Sequence, residues 1–180
     1  APVPVVVANT FRVERRLGAG GMGIAYLGID LDLNRPVALK TLARLSSASA
    51  QRLADEARRM ASVVHPNIAT IHGIEWWLGS PILVMEYLEG GTLAKRMAQG
   101  PLPIADAVRT GRLLALALEY LHVAGLLHRD VKPSNIAYTK HGETPKLLDF
   151  GLATLMGSDL SEAADARSSA PEATAQIPFA

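Results

Sequence analysis

The sequence predicts an α+β fold: a small five-stranded β lobe carrying one helix, then the start of a mostly helical part. Three observations carry this. Short apolar runs bounded by Gly, Pro and Asn recur between Phe11 and Tyr87 and read as strands. One window among them, Gln51 to Val64, instead places Leu53, Ala57, Met60 and Val64 on one helical face. Beyond Gly90-Gly91 the pattern turns helical, with a long helix over about Ile104 to Ala124. A chain of 180 residues suffices for one domain with a hydrophobic core.

In order along the chain, residues 1–9 hold two prolines and a short valine run, and read as a linker or frayed edge. Phe11 to Leu17 suits a strand. Gly18-Ala19-Gly20-Gly21-Met22-Gly23 forces a tight turn, and Ile24 to Ile29 resumes strand character. Pro36 to Leu42 is the third strand. The helix of 51–64 follows, stopped by His65-Pro66-Asn67. Ile68 to Ile74 and Ile82 to Tyr87 complete the five strands, and Gly90-Gly91 marks a joint. Thr92 caps a short helix to Gln99. Gly111 inside the long helix costs about 1 kcal/mol relative to Ala, and Gly125 ends it. Ile136 to Tyr138 and Pro145 to Leu148 form a hairpin around His141-Gly142. The division is a linker at 1–9, a first part at 10–87, a second at 88–156, and a flexible Ala/Ser/Glu-rich tail at 157–180.

Net charge is +1, so no basic excess argues for nucleic acid or an anionic membrane surface. There is no cysteine, which removes disulfides and thiolate metal sites and fits an intracellular, cytoplasmic protein. The run Val5-Val6-Val7-Ala8 is far too short to span a membrane. A chain opening on Ala1 and ending abruptly at Ala180 is read as a piece of something longer, whose parent could carry a membrane anchor elsewhere.

The chemistry concentrates in His128-Arg129-Asp130-Val131-Lys132-Pro133-Ser134-Asn135, followed by Asp149-Phe150-Gly151. Asp130 can accept a proton from a hydroxyl. Asn135 and Asp149 offer oxygens to a hard cation such as Mg²⁺. Lys132 can neutralise a phosphate oxygen as charge moves. Such a set meets the needs of phosphoryl transfer, in which positioning and electrostatics do most of the work. The run closely resembles the catalytic loop of eukaryotic-type protein kinases, and Asp149-Phe150-Gly151 resembles their metal-binding triplet. Lys two residues after the Asp is the pattern of Ser/Thr kinases. The wording Gly20-Gly21-Met22-Gly23 is similar to bacterial members.

The resemblance runs densely from about Phe11 to Met156 and implies a two-lobe fold. It implies that Asp130 is the base, that Lys132 contacts phosphate, and that Asn135 and Asp149 hold Mg²⁺ or Mn²⁺. Gly18, Gly20 and Gly23 form a GxGxxG; a dinucleotide-binding fold shares that spacing but needs a helix next. Here Ile24-Ala25-Tyr26-Leu27-Gly28 reads as a strand, which favours a flap over the phosphates of ATP, built from Leu17 to Gly23 with Ala19, Gly21 and Met22.

Glu56 shares the apolar helix face with Leu53 and Met60, and a charge there calls for a partner. Lys40, near the end of an apolar strand, is the natural one; the alternative is that Glu56 turns to solvent. In the family such a pair lets the lysine hold the α/β-phosphates. Leu83 to Gly91 resembles the strand and hinge of the family, which implies that Met85 is the gatekeeper and that the Glu86 carbonyl and Leu88 amide meet the adenine edge. The resemblance implies that His128 is structural, packed under Phe150 in a core column with Met60 and Ile71. Arg129 suggests a docking site for an activation-segment phosphate.

Three departures stand out. Ala25 replaces the valine expected after the glycines, and Ala137 replaces a large apolar residue on the pocket floor, while Ala38 in the roof is usual. These changes remove methyl groups at about 0.8 kcal/mol per buried CH₂, so the ATP site is expected to be roomy and weak unless neighbours fill the space. Ala170-Pro171-Glu172 either closes the activation segment or is a chance triplet, and the helices that complete the large lobe are not in these 180 residues. Without them the helix of 104–124 leaves an apolar face uncovered.

The expected function is transfer of the γ-phosphoryl of ATP to Ser/Thr hydroxyls of proteins, including another copy of this chain. Thr154, Ser158, Ser161, Ser168 and Ser169 are candidate autophosphorylation sites. The alternatives are a nucleotide-binding regulatory module without catalysis, or an inert fragment. No nucleic-acid partner is expected.

Overall fold

A computed structural model describes residues 5–20, 23–42, 55 and 57–150. They divide into two compact units. The first holds the described residues up to 61 together with 71–87; the second holds 62–70 and 88–150.

The first unit is an antiparallel sheet of six strands in the order β1-β2-β3-β4-β6-β5. These are β1 (Val6–Val7), β2 (Phe11–Gly20), β3 (Gly23–Asp30), β4 (Arg35–Thr41), β5 (Ile71–Trp77) and β6 (Ser80–Glu86). Burial alternates along β3, where Ile24, Tyr26, Gly28 and Asp30 face inward. Central β4 and β6 are buried almost throughout, as strands covered on two faces are. Val7, Phe11, Val13, Tyr26, Leu39 and Val84 belong to one core cluster, against which Trp77 packs.

Within the expected linker or frayed edge of 1–9, the described residues form the edge strand β1. Val6 and Val7 pair with Arg12 and Phe11, and Val7 is fully buried. The reversal is tight: Ala8 and Asn9 have φ of 51° and 56°, and the Thr10 N–H donates to the Val7 carbonyl at 3.1 Å. Positive φ at both central residues is the hairpin geometry that matches strand twist. Burial of Val7 offsets the cost of placing Ala8 in the left-handed region.

Residues 57–61 are helical, and Ala57, Met60 and Val63 are buried. The helix ends before Val64, which is 76% exposed and so leaves the expected apolar face. Leu53 and Glu56 lie outside the described residues. Strand β5 begins at Ile71, not Ile68. Ile68 instead makes a parallel bridge to Leu147 in the second unit.

In the second unit, helix α1 (Leu93–Met97) starts at Thr92, whose hydroxyl accepts from the Lys95 N–H at 3.3 Å. Helix α2 (Ile104–Val123) buries Thr110, Leu114, Ala117 and Leu121, one stripe at helical spacing. Gly125 has φ of 73°. Its N–H donates to the His122 carbonyl and that of Leu126 to Leu121, the paired bonds of a left-handed helix stop. Ile104, Val108, Leu116 and Val123 are exposed on α2, the uncovered apolar surface expected from the sequence. A 3₁₀ turn (Pro133–Asn135) then leads into the hairpin β7 (Ile136–Tyr138) and β8 (Pro145–Leu147).

Candidate active site

The turn after α2 delivers the chain into the loop 126–135. Leu126 is buried, His128 is 2% exposed, and Arg129 takes φ of 64°. A non-glycine residue in that region stores strain, and such strain collects at functional loops. The Asp130 N–H donates to His128 Nδ1 at 3.3 Å, which seats the loop on the buried imidazole. Burial pushes His128 below the usual imidazole range, against the opposing pull of backbone groups at His128 and Leu148.

Two side chains of the loop meet at the Asp130 carboxylate. Lys132 Nζ lies 2.7 Å from Asp130 Oδ2. Asn135 Nδ2 donates to the same oxygen at 2.8 Å and to the Asp130 carbonyl at 3.0 Å. The Lys132 ammonium is the main force holding Asp130 below the usual carboxylate range; partial burial opposes it, and the Asn135 amide adds to it. The group is therefore ionised at neutral pH. Asn135 is itself buried, and its amide nitrogen is committed to Asp130, so Oδ1 is the atom left to face a cation.

Asp149 comes to the same corner by backbone pairing. Strand β7 pairs with β8, and the Leu148 N–H donates to the Asn135 carbonyl at 2.9 Å. The next residue, Asp149, has φ of 59°, a second strained position, and Phe150 after it is 1% exposed. The structure thus brings Asp130, Lys132, Asn135 and Asp149 into one loop cluster of the second unit.

Asn67 is a residue whose part in this arrangement the sequence did not reveal. It is buried, its Nδ2 donates to the Pro145 carbonyl at 2.8 Å, and its own carbonyl accepts from Leu147. It pins β8, the strand that leads to Asp149. After His65-Pro66 an asparagine reads only as a helix stop, so no local signal marks this role.

Of the remaining expected residues that are described, Leu88 and Ala137 lie in the second unit and the others in the first. Gly18, Ala19 and Gly20 end β2 opposite Ala25, Ile24 and Gly23; Leu17 is half-buried, and Gly21 and Met22 lie outside the described residues. Gly23 has φ of 126°, and a Cβ there would collide with the Thr41 carbonyl, so this glycine is required by close backbone approach. Lys40 is 7% exposed on β4, opposite Ala25 and Leu83. Ala38 is buried opposite Leu27 and Met85, and Met85 is buried too. Glu86 is half-buried at the end of β6. Leu88 and Ala137 are buried together with Ala69 in a small cluster against which Leu148 packs. The pairing of Lys40 with Glu56 lies outside the described residues, as does the Gly151 of the metal-binding triplet. Met60, Ile71, His128 and Phe150, the expected core column, are each buried.

A protein kinase domain model matches residues 11–176. The chain belongs to the protein kinase family. This kinase domain is 39% identical over 164 residues to the serine/threonine-protein kinase pkn2 of Myxococcus xanthus, covering 88% of this chain and 20% of that protein. It is 37% identical over 153 residues to the serine/threonine-protein kinase PknJ of Mycobacterium tuberculosis, covering 82% of this chain and 26% of that one. The crystal structure of the PknI kinase domain of Mycobacterium tuberculosis aligns with a TM-score of 0.72 and 31% identity, over 85% of this chain and 64% of that one. The kinase domain thus spans about a fifth to a quarter of these curated relatives and under two thirds of the solved domain. Among the described residues no helix is long and apolar enough to cross a membrane.

Proposed function

We propose that this kinase domain transfers the γ-phosphoryl of ATP to Ser/Thr hydroxyls of proteins, including a second copy of the chain. The observation that carries the reading is the Asp130 carboxylate held by Lys132 and Asn135. Two of its lone-pair directions are taken, and the carboxylate is ionised, so it is suited to orient a hydroxyl and to accept its proton late in the transfer. The Lys132 ammonium, now on Asp130, is suited to swing toward the transferring phosphoryl oxygens as they become more negative.

The donor set fits a hard divalent cation. Asn135 Oδ1 and the Asp149 carboxylate are two protein oxygens, the small number that Mg²⁺ accepts alongside water and phosphate oxygens. Bound there, Mg²⁺ or Mn²⁺ would neutralise phosphate charge. Lys40 and the Leu17–Gly23 segment are suited to holding the phosphates, and Met85, Glu86 and Leu88 to lining the base site. Ala25 is half-buried and Ala137 is covered by Ala69, Leu88 and Leu148. The neighbours of Ala137 therefore fill the space beside it, and the expected weakening of ATP binding rests on Ala25.

Incubation with ATP, Mg²⁺ and a generic basic protein tests this. Phosphoserine and phosphothreonine are expected in the product, and chelation of the metal abolishes them. ATP binding without transfer would sink the reading in favour of a nucleotide-binding module.

A further inference from the structure

The pairing of Arg96 with Tyr138 serves none of the roles above. Arg96 lies in the last turn of α1, and its guanidinium carbon stands 3.5 Å from the centroid of the Tyr138 ring. The guanidinium also forks. Nη1 donates to the Gly142 carbonyl at 3.2 Å and Nη2 to the Gly90 carbonyl at 3.4 Å. One side chain so joins α1, the turn of the β7–β8 hairpin and the glycine joint. Tyr138 is held from a second side, its hydroxyl 3.3 Å from Thr110 Oγ1 on α2.

The backbone at the joint follows β7. The Gly90 N–H donates to the Tyr138 carbonyl at 2.9 Å, the Tyr138 N–H donates to the Gly91 carbonyl at 3.0 Å, and Thr92 bridges Ala137. The register of 88–92 on β7 decides how Leu88 stands against Ala137, which share one buried cluster. Short pairings of this kind slip easily unless side chains fix them.

We infer that Arg96 and Tyr138 are positioning residues for the nucleotide base: their clamp holds segment 88–92 on β7 and so sets the spacing between the Leu88 amide and the Ala137 floor. The inference rests on the proposed binding of ATP by this segment. A merely structural role makes a different prediction, because lost stability lowers the amount of active protein without changing affinity for ATP.

Arg96→Met keeps the aliphatic stem and removes the fork and the charge. It is expected to raise the KM for ATP roughly three- to tenfold, the scale of one or two hydrogen bonds, with kcat changed by less than about twofold. Arg96→Lys keeps a cation near the ring but loses the fork, and its KM falls between. Tyr138→Leu removes the ring and shifts KM in the same direction. Hydrogen exchange at the Gly90 and Tyr138 amides reads the clamp without turnover and is faster in Arg96→Met. An unchanged KM with a lowered melting temperature overturns the inference, as does unchanged exchange. Wild-type protein that binds no ATP overturns the nucleotide reading and the clamp with it; wild type and Arg96→Met binding ATP equally well overturn the clamp alone.

Discussion

Gly90 and Gly91 are adjacent and look interchangeable in sequence, yet their surroundings predict unequal responses to alanine. A Cβ on Gly90 would collide with the Thr139 carbonyl oxygen and stand 2.8 Å from the Tyr138 oxygen and 3.0 Å from its carbon. All three atoms are backbone, so none can swing away. The joint must lift off β7, which breaks the two hydrogen bonds between 90–91 and Tyr138. Two such bonds contribute about 1 kcal/mol each, and overpacking adds about 1 kcal/mol or more, for a total near 3 kcal/mol. Gly91 has φ of 74° with open space around its Cβ, so alanine there costs only the left-handed backbone, about 1–2 kcal/mol. Urea denaturation followed by far-UV circular dichroism, which reports α2, measures both. Trp fluorescence does not serve, because Trp76 and Trp77 both lie in the first unit. Gly90→Ala is expected to lose about 1–2 kcal/mol more than Gly91→Ala. Equal losses, or a larger loss for Gly91→Ala, would refute the close-approach argument.

Ala25→Val should tighten ATP binding about three- to tenfold by adding two buried methyl groups beside Lys40, whereas Ala137→Leu should cost about 1–3 kcal/mol of stability by overpacking the cluster with Leu88; calorimetric titration and denaturation separate the two. The depressed pKa of Asp130 places its ionised form at all pH values above the ordinary carboxylate range, and the stability it contributes is lost only as pH falls through that depressed value. Lys132→Met removes the main cause, so the acid limb of the pH–rate profile should move upward; an unmoved limb would show that Lys132 does not set it. Val7→Ala should cost about 1–3 kcal/mol in denaturation, against nearly nothing if residues 5–9 were a linker.

The loop 128–135 was legible because its residues work within eight positions, and the bonds among Asp130, Lys132 and Asn135 are local. Most strands were legible too, their burial following the apolar pattern, as along β3. What escaped depends on pairings and chain reversals that the residue types alone do not announce. Val6 and Val7 sit among prolines that argue against a strand, and only the pairing with Phe11 and Arg12 makes one. Val64 fits the helical period, but the helix has ended before it. Ile68 has strand character and spends it on a single bridge to Leu147. Asn67 reads as a stop and acts as a clamp on β8, through an oxygen 78 positions away. Arg96 and Tyr138 are ordinary residues of a short helix and a short strand until the fold stacks them.

The most direct test of the account compares phosphoryl transfer by the wild-type chain and Asp130→Asn at saturating ATP and Mg²⁺, with ATP affinity measured for each. The account predicts equal affinity and a loss of transfer of roughly 10²- to 10⁴-fold, the scale of removing a positioned acid–base group. Equal rates in the two proteins would contradict it, and would remove Asp130 from the chemistry.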